Sequence, residues 1–67
     1  MPTDGETPLP TGLSEPARRA LAAAGYTRLE QLTDVTAREL GKLHGMGPKA
    51  IRRLGEALAA HGLSFRD

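Results

Sequence analysis

In the stretch Leu43-His44-Gly45-Met46-Gly47-Pro48-Lys49-Ala50-Ile51, two glycines flank one apolar residue, a proline and a lysine follow at once, and an apolar-periodic run begins. Those residue types in that order describe an anion site. Gly45 permits a positive φ that strains any residue with a Cβ, and Gly47 permits close backbone approach. Pro48 fits the first helical position, where its missing N–H costs nothing. The N–H groups beside it lack intrahelical partners and sit at the positive end of the helix dipole, so they attract anions, phosphate above all. Lys49 adds a full charge at that mouth. Arg52 and Arg53 lie one turn on, off the apolar line of Ile51, Leu54 and Leu58. Met46 is expected to point inward as the pin of the turn. The same composition also serves as a plain corner between two helices, so both readings stand at this point.

No other residues offer a chemistry. Ser14, Thr27 and Thr36 read as helix caps rather than nucleophiles, since no histidine or acid stands at a matching spacing. His44 and His61 are too far apart to form a local ligand pair, no carboxylate cluster joins them, and cysteine is absent. Neither metal nor cofactor is expected, and neither is catalysis. With one Tyr, one Phe and no Trp, stacking on single-stranded bases is poorly supported.

The elements that must position the glycine turn are all helical. Ser14 is an N-cap, with Glu15 in the first turn and Pro16 where its missing N–H is harmless. Ala17, Ala20, Leu21 and Ala24 follow at spacings of three and four, and Gly25 supplies a left-handed stop. Thr27 is read as the cap of a short second helix, with Glu30 completing a capping box and Leu29 and Leu32 buried. Thr33-Asp34 is a break. Thr36 caps a third helix through a box with Glu39, and Ala37, Leu40 and Leu43 form its apolar stripe. The longest helix runs from about Pro48 to His61 and stops at Gly62. Leu63 and Phe65 fold back as a plug. No segment alternates for long enough to form a strand, so the chain is all-α with four short helices.

At 67 residues there is room for one domain only. Chains of this length bury only about 60% of their unfolded surface and sit near the limit of independent stability. Residues 1–12, rich in proline, glycine and threonine, read as a flexible arm preceding a domain over residues 13–67, with Leu9 and Leu13 tacking the junction to the core. No apolar run approaches the roughly 20 residues of a membrane span, and absence of cysteine fits a reducing cytoplasm, so a cytoplasmic protein is expected. Nine basic residues against eight acidic leave a net charge of +1, too little for long-range attraction to nucleic acid. The charge is polarised, however. Residues 38–61 hold Arg38, Lys42, Lys49, Arg52 and Arg53 against Glu39 and Glu56, a local +3, whereas residues 1–37 carry a local −2. The basic end is the end with the glycine turn.

From Leu13 to Phe65 the chain resembles the helix-hairpin-helix group, and within it the C-terminal domain of bacterial RNA polymerase α subunits and small stand-alone bacterial proteins of that type. The likeness is carried by Leu13-Ser14, Ala24-Gly25-Tyr26-Thr27, Leu29 and Leu32, Leu43 to Lys49, and Leu58-Ala59-Ala60-His61-Gly62-Leu63-Ser64. It implies a compact four- to five-helix, SAM-like fold in which turn amides and a following lysine meet phosphates along the DNA minor groove. Gly47 and Lys49 match the contact positions of that group; together with Gly45, Arg52 and Arg53 of the basic turn, and Arg18 and Arg19 of the first helix, they are the expected nucleic-acid contacts. Pro16 stands where the polymerase domain has a groove-reading arginine, Arg19 stands for an asparagine, Ala50 for a serine and Arg53 for a glutamate. The implied partner is therefore the backbone of double-stranded DNA, read with little sequence specificity. The alternative is a module that docks a transcription or repair protein.

Overall fold

A computed structural model of the chain describes residues 8–67, and three α-helices and one 3-10 helix make up its regular structure. The first, α1, spans Glu15–Ala23. Its start is set locally: Ser14 is extended and its hydroxyl accepts from the Ala17 amide at 3.3 Å. Its end is equally local. Gly25 sits at φ +89, the Tyr26 amide donates to the Leu21 carbonyl at 2.8 Å and the Gly25 amide to Ala22 at 3.1 Å, the paired bonds of a Schellman stop. Ala17 and Leu21 are buried, whereas Ala24 is exposed at the cap rather than on the apolar face.

The second element departs from expectation in its cap and its type. Leu29–Asp34 is a 3-10 helix whose N-cap is Arg28, not Thr27. The helix thus begins one residue later, and its third position falls on Gln31 instead of Glu30. Gln31 Oε1 accepts from the amides of Thr27 (2.6 Å) and Arg28 (2.9 Å), so a neutral amide does the work assigned to a carboxylate. Thr33 Oγ1 donates back to the Glu30 carbonyl at 2.7 Å, and the break lies at Val35, beyond Thr33-Asp34. Next comes α2, Ala37–Leu40, opened by the expected box: the Glu39 amide donates to Thr36 Oγ1 at 3.0 Å and the Thr36 amide to Glu39 Oε1 at 2.9 Å. That backbone hydrogen bond is the main reason the Glu39 carboxyl is held below its ordinary value of 4.5; burial opposes the shift, while Arg66, the Thr36 hydroxyl and Lys42 assist it. Only Leu40 of the expected stripe is fully buried, because the helix ends after one turn and Leu43 already belongs to the loop.

The long helix α3 spans Pro48–Ala60 and closes at Gly62 (φ +73) with a second Schellman pair, Leu63 amide to Leu58 carbonyl at 2.7 Å and Gly62 amide to Ala59 at 3.0 Å. Leu54 and Leu58 are fully buried, and Ile51 is half-buried on the same line. Six leucines (Leu21, Leu29, Leu32, Leu40, Leu54 and Leu58) are the largest fully buried side chains, with Ala17 and Met46 completing the core. Each leucine contributes about 1.5–3 kcal/mol relative to exposure. Leu63 and Phe65 lie against the core as a plug, the Arg66 amide donates to the Val35 carbonyl at 2.8 Å, and Asp67 Oδ1 accepts from the Ala37 amide at 3.3 Å.

Residues 1–7 of the expected arm lie outside the described residues; residues 8–12 run along the domain. Pro8 makes an isolated bridge to Arg28, and Leu9 and Leu13 are partly buried against the core. Among the described residues there is no strand, and no helix is long and apolar enough to cross a membrane.

Candidate nucleic-acid interface

The glycine turn is held from both sides. Leu43 to Met46 closes as a turn, with the Met46 amide on the Leu43 carbonyl at 3.1 Å and Gly45 at φ +91, and Met46 is the buried pin. Gly45 is needed twice over. A Cβ there would lie 2.8 Å from the Pro16 carbonyl oxygen and 3.2 Å from its carbon, so the turn rests directly on the first turn of α1. Gly47 is different: it is extended (φ −107, ψ 174) and a Cβ would meet nothing within 4 Å. It is the N-cap of α3.

Two helix mouths therefore lie side by side, and they differ in kind. At α1 the mouth is closed: Ser14 caps it and Glu15 stands in its first turn. At α3 no side chain caps the amides of the first turn, no acid stands there, and Lys49 follows Pro48. Of the two positive dipole ends, only that of α3 has amides without a side-chain partner and a cation beside them. The arrangement can hold one small oxyanion, with backbone N–H groups as donors and Lys49 as counter-charge.

The structure sorts the remaining cations into three places. Lys49, Arg52 and Arg53 line an open groove of about 660 Å³, with Ala50 and Glu56 on the α3 side and Gly12, Leu13 and Ser14 opposite. Lys49 and Arg52 are exposed and their side chains make no ion pair among the described residues. Arg53 is half-buried and engaged, its Nε donating to the Thr11 carbonyl at 3.0 Å and its Nη1 lying 3.6 Å from Glu56. Arg19 lies on the other side of the turn, in a cavity with Pro16, Ala20, Ala23, His44 and Gly45, and pairs with Glu15 at 3.7 Å. Arg18 lines a third groove with Leu9, Thr11, Tyr26 and Thr27, where no residue of the turn or of α3 is present. The expected seven-residue patch is thus brought together only as Gly47, Lys49, Arg52 and the engaged Arg53, with Gly45 and Arg19 around the corner and Arg18 apart.

Gly12, Leu13 and Ser14 are groove residues that sequence reasoning missed. The only available signal was a glycine two positions before an N-cap, and nothing local connects it to Arg53, more than forty residues away. His44 borders the Arg19 cavity rather than the groove. Among the described residues no group of His, Cys, Asp and Glu could hold a metal ion. Compared with known protein families, characterised proteins and solved structures, the chain matches none.

Proposed function

We propose that this domain is a small, non-enzymatic DNA-binding module of helix-hairpin-helix type that holds the duplex backbone along the minor groove with little sequence specificity. The observation that carries the reading is the open mouth of α3: first-turn amides without a side-chain cap, no acid, and the exposed Lys49 and Arg52 in the groove beside them. The local +3 of residues 38–61 points the same way. Pro16, which rests against Gly45, has no donor with which to read a base edge, in keeping with backbone contact and little specificity. Neutralising about two phosphates, one for each of Lys49 and Arg52, gives a log–log salt slope near −1.8 and a Kd on the order of 10⁻⁴ M at physiological salt.

Titrating ¹⁵N-labelled protein with a duplex oligonucleotide at low salt tests the proposal. The amides of Gly45, Met46, Gly47 and Lys49 are expected to move, and Lys49→Glu with Arg52→Glu to abolish the effect. Amides that stay in place at millimolar duplex would refute it. A second reading, docking of a transcription or repair protein, is favoured by a different surface: the shallow clefts lined by Ala20, Ala23, Ala24, Leu43 and His44 between α1 and the turn. A protein partner whose affinity ignores salt and survives the double charge reversal would support that reading instead.

A further inference from the structure

Arg53 differs from the two cations beside it. Lys49 and Arg52 are exposed, whereas Arg53 is half-buried and bonded across the fold to Thr11. A guanidinium presents two forks to a phosphate, Nε with Nη2 along its side and Nη1 with Nη2 at its end. Here Nε is engaged by the Thr11 carbonyl, so the side fork has lost one prong, and Nη1 of the end fork lies 3.6 Å from the Glu56 carboxylate, which competes with a phosphate for it. Gly12 covers the same guanidinium. Its φ is +91, and a Cβ on it would lie 3.4 Å from Arg53 Nε and 4.0 Å from Cδ. Either side of this clasp the chain is held independently, by the Pro8–Arg28 bridge and the packing of Leu9 before it, and by Leu13 and the Ser14 cap after it.

We infer that Arg53 is a positioning residue rather than a phosphate ligand: by clasping Thr11 it fixes Thr11 and Gly12, and with the independently held Leu13 and Ser14 these form the far wall of a channel in which Lys49 and Arg52 take backbone phosphates. The channel's ligand rests on the DNA-backbone reading above; the clasp does not, and the free protein reports it. Glu56, an acid at the rim of this basic groove, lies 3.6 Å from Arg53 Nη1, so its charge is offset within α3.

Four variants test this: Arg52→Ala, Arg53→Met, Gly12→Ala, and Arg53→Met with Gly12→Ala. In the free protein, Arg53→Met is expected to shift the amides of Thr11 and Gly12 and lower their heteronuclear NOE, and Arg52→Ala to leave them in place. With duplex, Arg52→Ala is expected to reduce the salt slope by about 0.9, one phosphate's worth. Arg53→Met is expected to weaken binding several-fold at every salt concentration with the slope unchanged. Gly12→Ala alters no charge and keeps the arginine, yet is expected to reproduce that pattern, and the double variant to add nothing further. A slope loss of about 0.9 in Arg53→Met, with the amides of Thr11 and Gly12 unmoved, would make Arg53 a ligand and overturn the inference. Wild-type protein without duplex affinity would instead remove the DNA reading, a failure distinct from unmoved wall amides in the free Arg53→Met protein.

Discussion

Replacing Gly45 by alanine puts the packing of the glycine turn to a quantitative test. The residue sits at φ +91, where an L side chain costs about 1–2 kcal/mol. Its Cβ would also stand 2.8 Å from the Pro16 carbonyl oxygen, a backbone atom of α1 that cannot swing aside. Relieving that overlap means moving the turn off the helix, an overpacking cost of about 1–3 kcal/mol. Alanine restricts the unfolded chain and returns roughly 0.4–1 kcal/mol. The net loss is about 2–4 kcal/mol, in a domain of this size whose total stability is on the order of 3–10 kcal/mol. Gly47→Ala is the control. Nothing lies within 4 Å of its Cβ and its φ is ordinary, so only the weaker N-cap preference of alanine opposes the unfolded-state gain. Urea denaturation followed by circular dichroism reads both variants. With a slope of about 1 kcal/mol per molar urea, Gly45→Ala lowers the midpoint by roughly 2 M or more and Gly47→Ala by less than about 1 M. Equal midpoints, or a larger drop for Gly47→Ala, would refute the contact between the turn and α1.

Three further outcomes follow from other parts of the fold. Gln31→Ala removes the acceptor of two backbone amides and is expected to cost about 1 kcal/mol in urea denaturation, whereas Gln31→Glu, which keeps an acceptor oxygen, is expected to cost less than half as much. Leu54→Ala empties the centre of the core at a cost of about 2–5 kcal/mol, enough to leave a large unfolded fraction by circular dichroism at 25 °C. Because the folded-state value of Glu39 is lowered, the stability it supplies is fully present above its ordinary value of 4.5 and is lost as pH falls through the lowered one. Thermal melts of the wild type are therefore expected to fall with acidification across that range, and those of Glu39→Gln to fall less steeply; identical slopes would remove Glu39 from the account.

Much of this protein is determined by its sequence alone, because the signals involved act over three or four residues. Ser14, Thr36 with Glu39, Gly25 and Gly62 each set a helix end through a hydrogen bond or a left-handed turn made with near neighbours. The core leucines recur at helical spacing, and Met46 between its glycines has nowhere but the core to go. The misplacement of the second cap from Gln31 to Glu30 has the same origin: a start shifted by one residue moves the partner by one, and a 3-10 turn leaves no periodicity to correct it. Only the tertiary structure decided that Gly45 rests on Pro16, that Arg18, Arg19 and Arg52 face three different places, and that Arg53 belongs to Thr11. These are contacts between segments distant in sequence, and a charge count records how many cations lie near the turn but not which of them the fold has already engaged. The glycine turn and its lysine stand out in the sequence as a candidate anion site, and the contrast between the capped mouth of α1 and the uncapped mouth of α3 is local too, set by Ser14 and Glu15 at one and by Gly47 and Pro48 at the other; what the tertiary structure adds is that the two mouths lie beside each other.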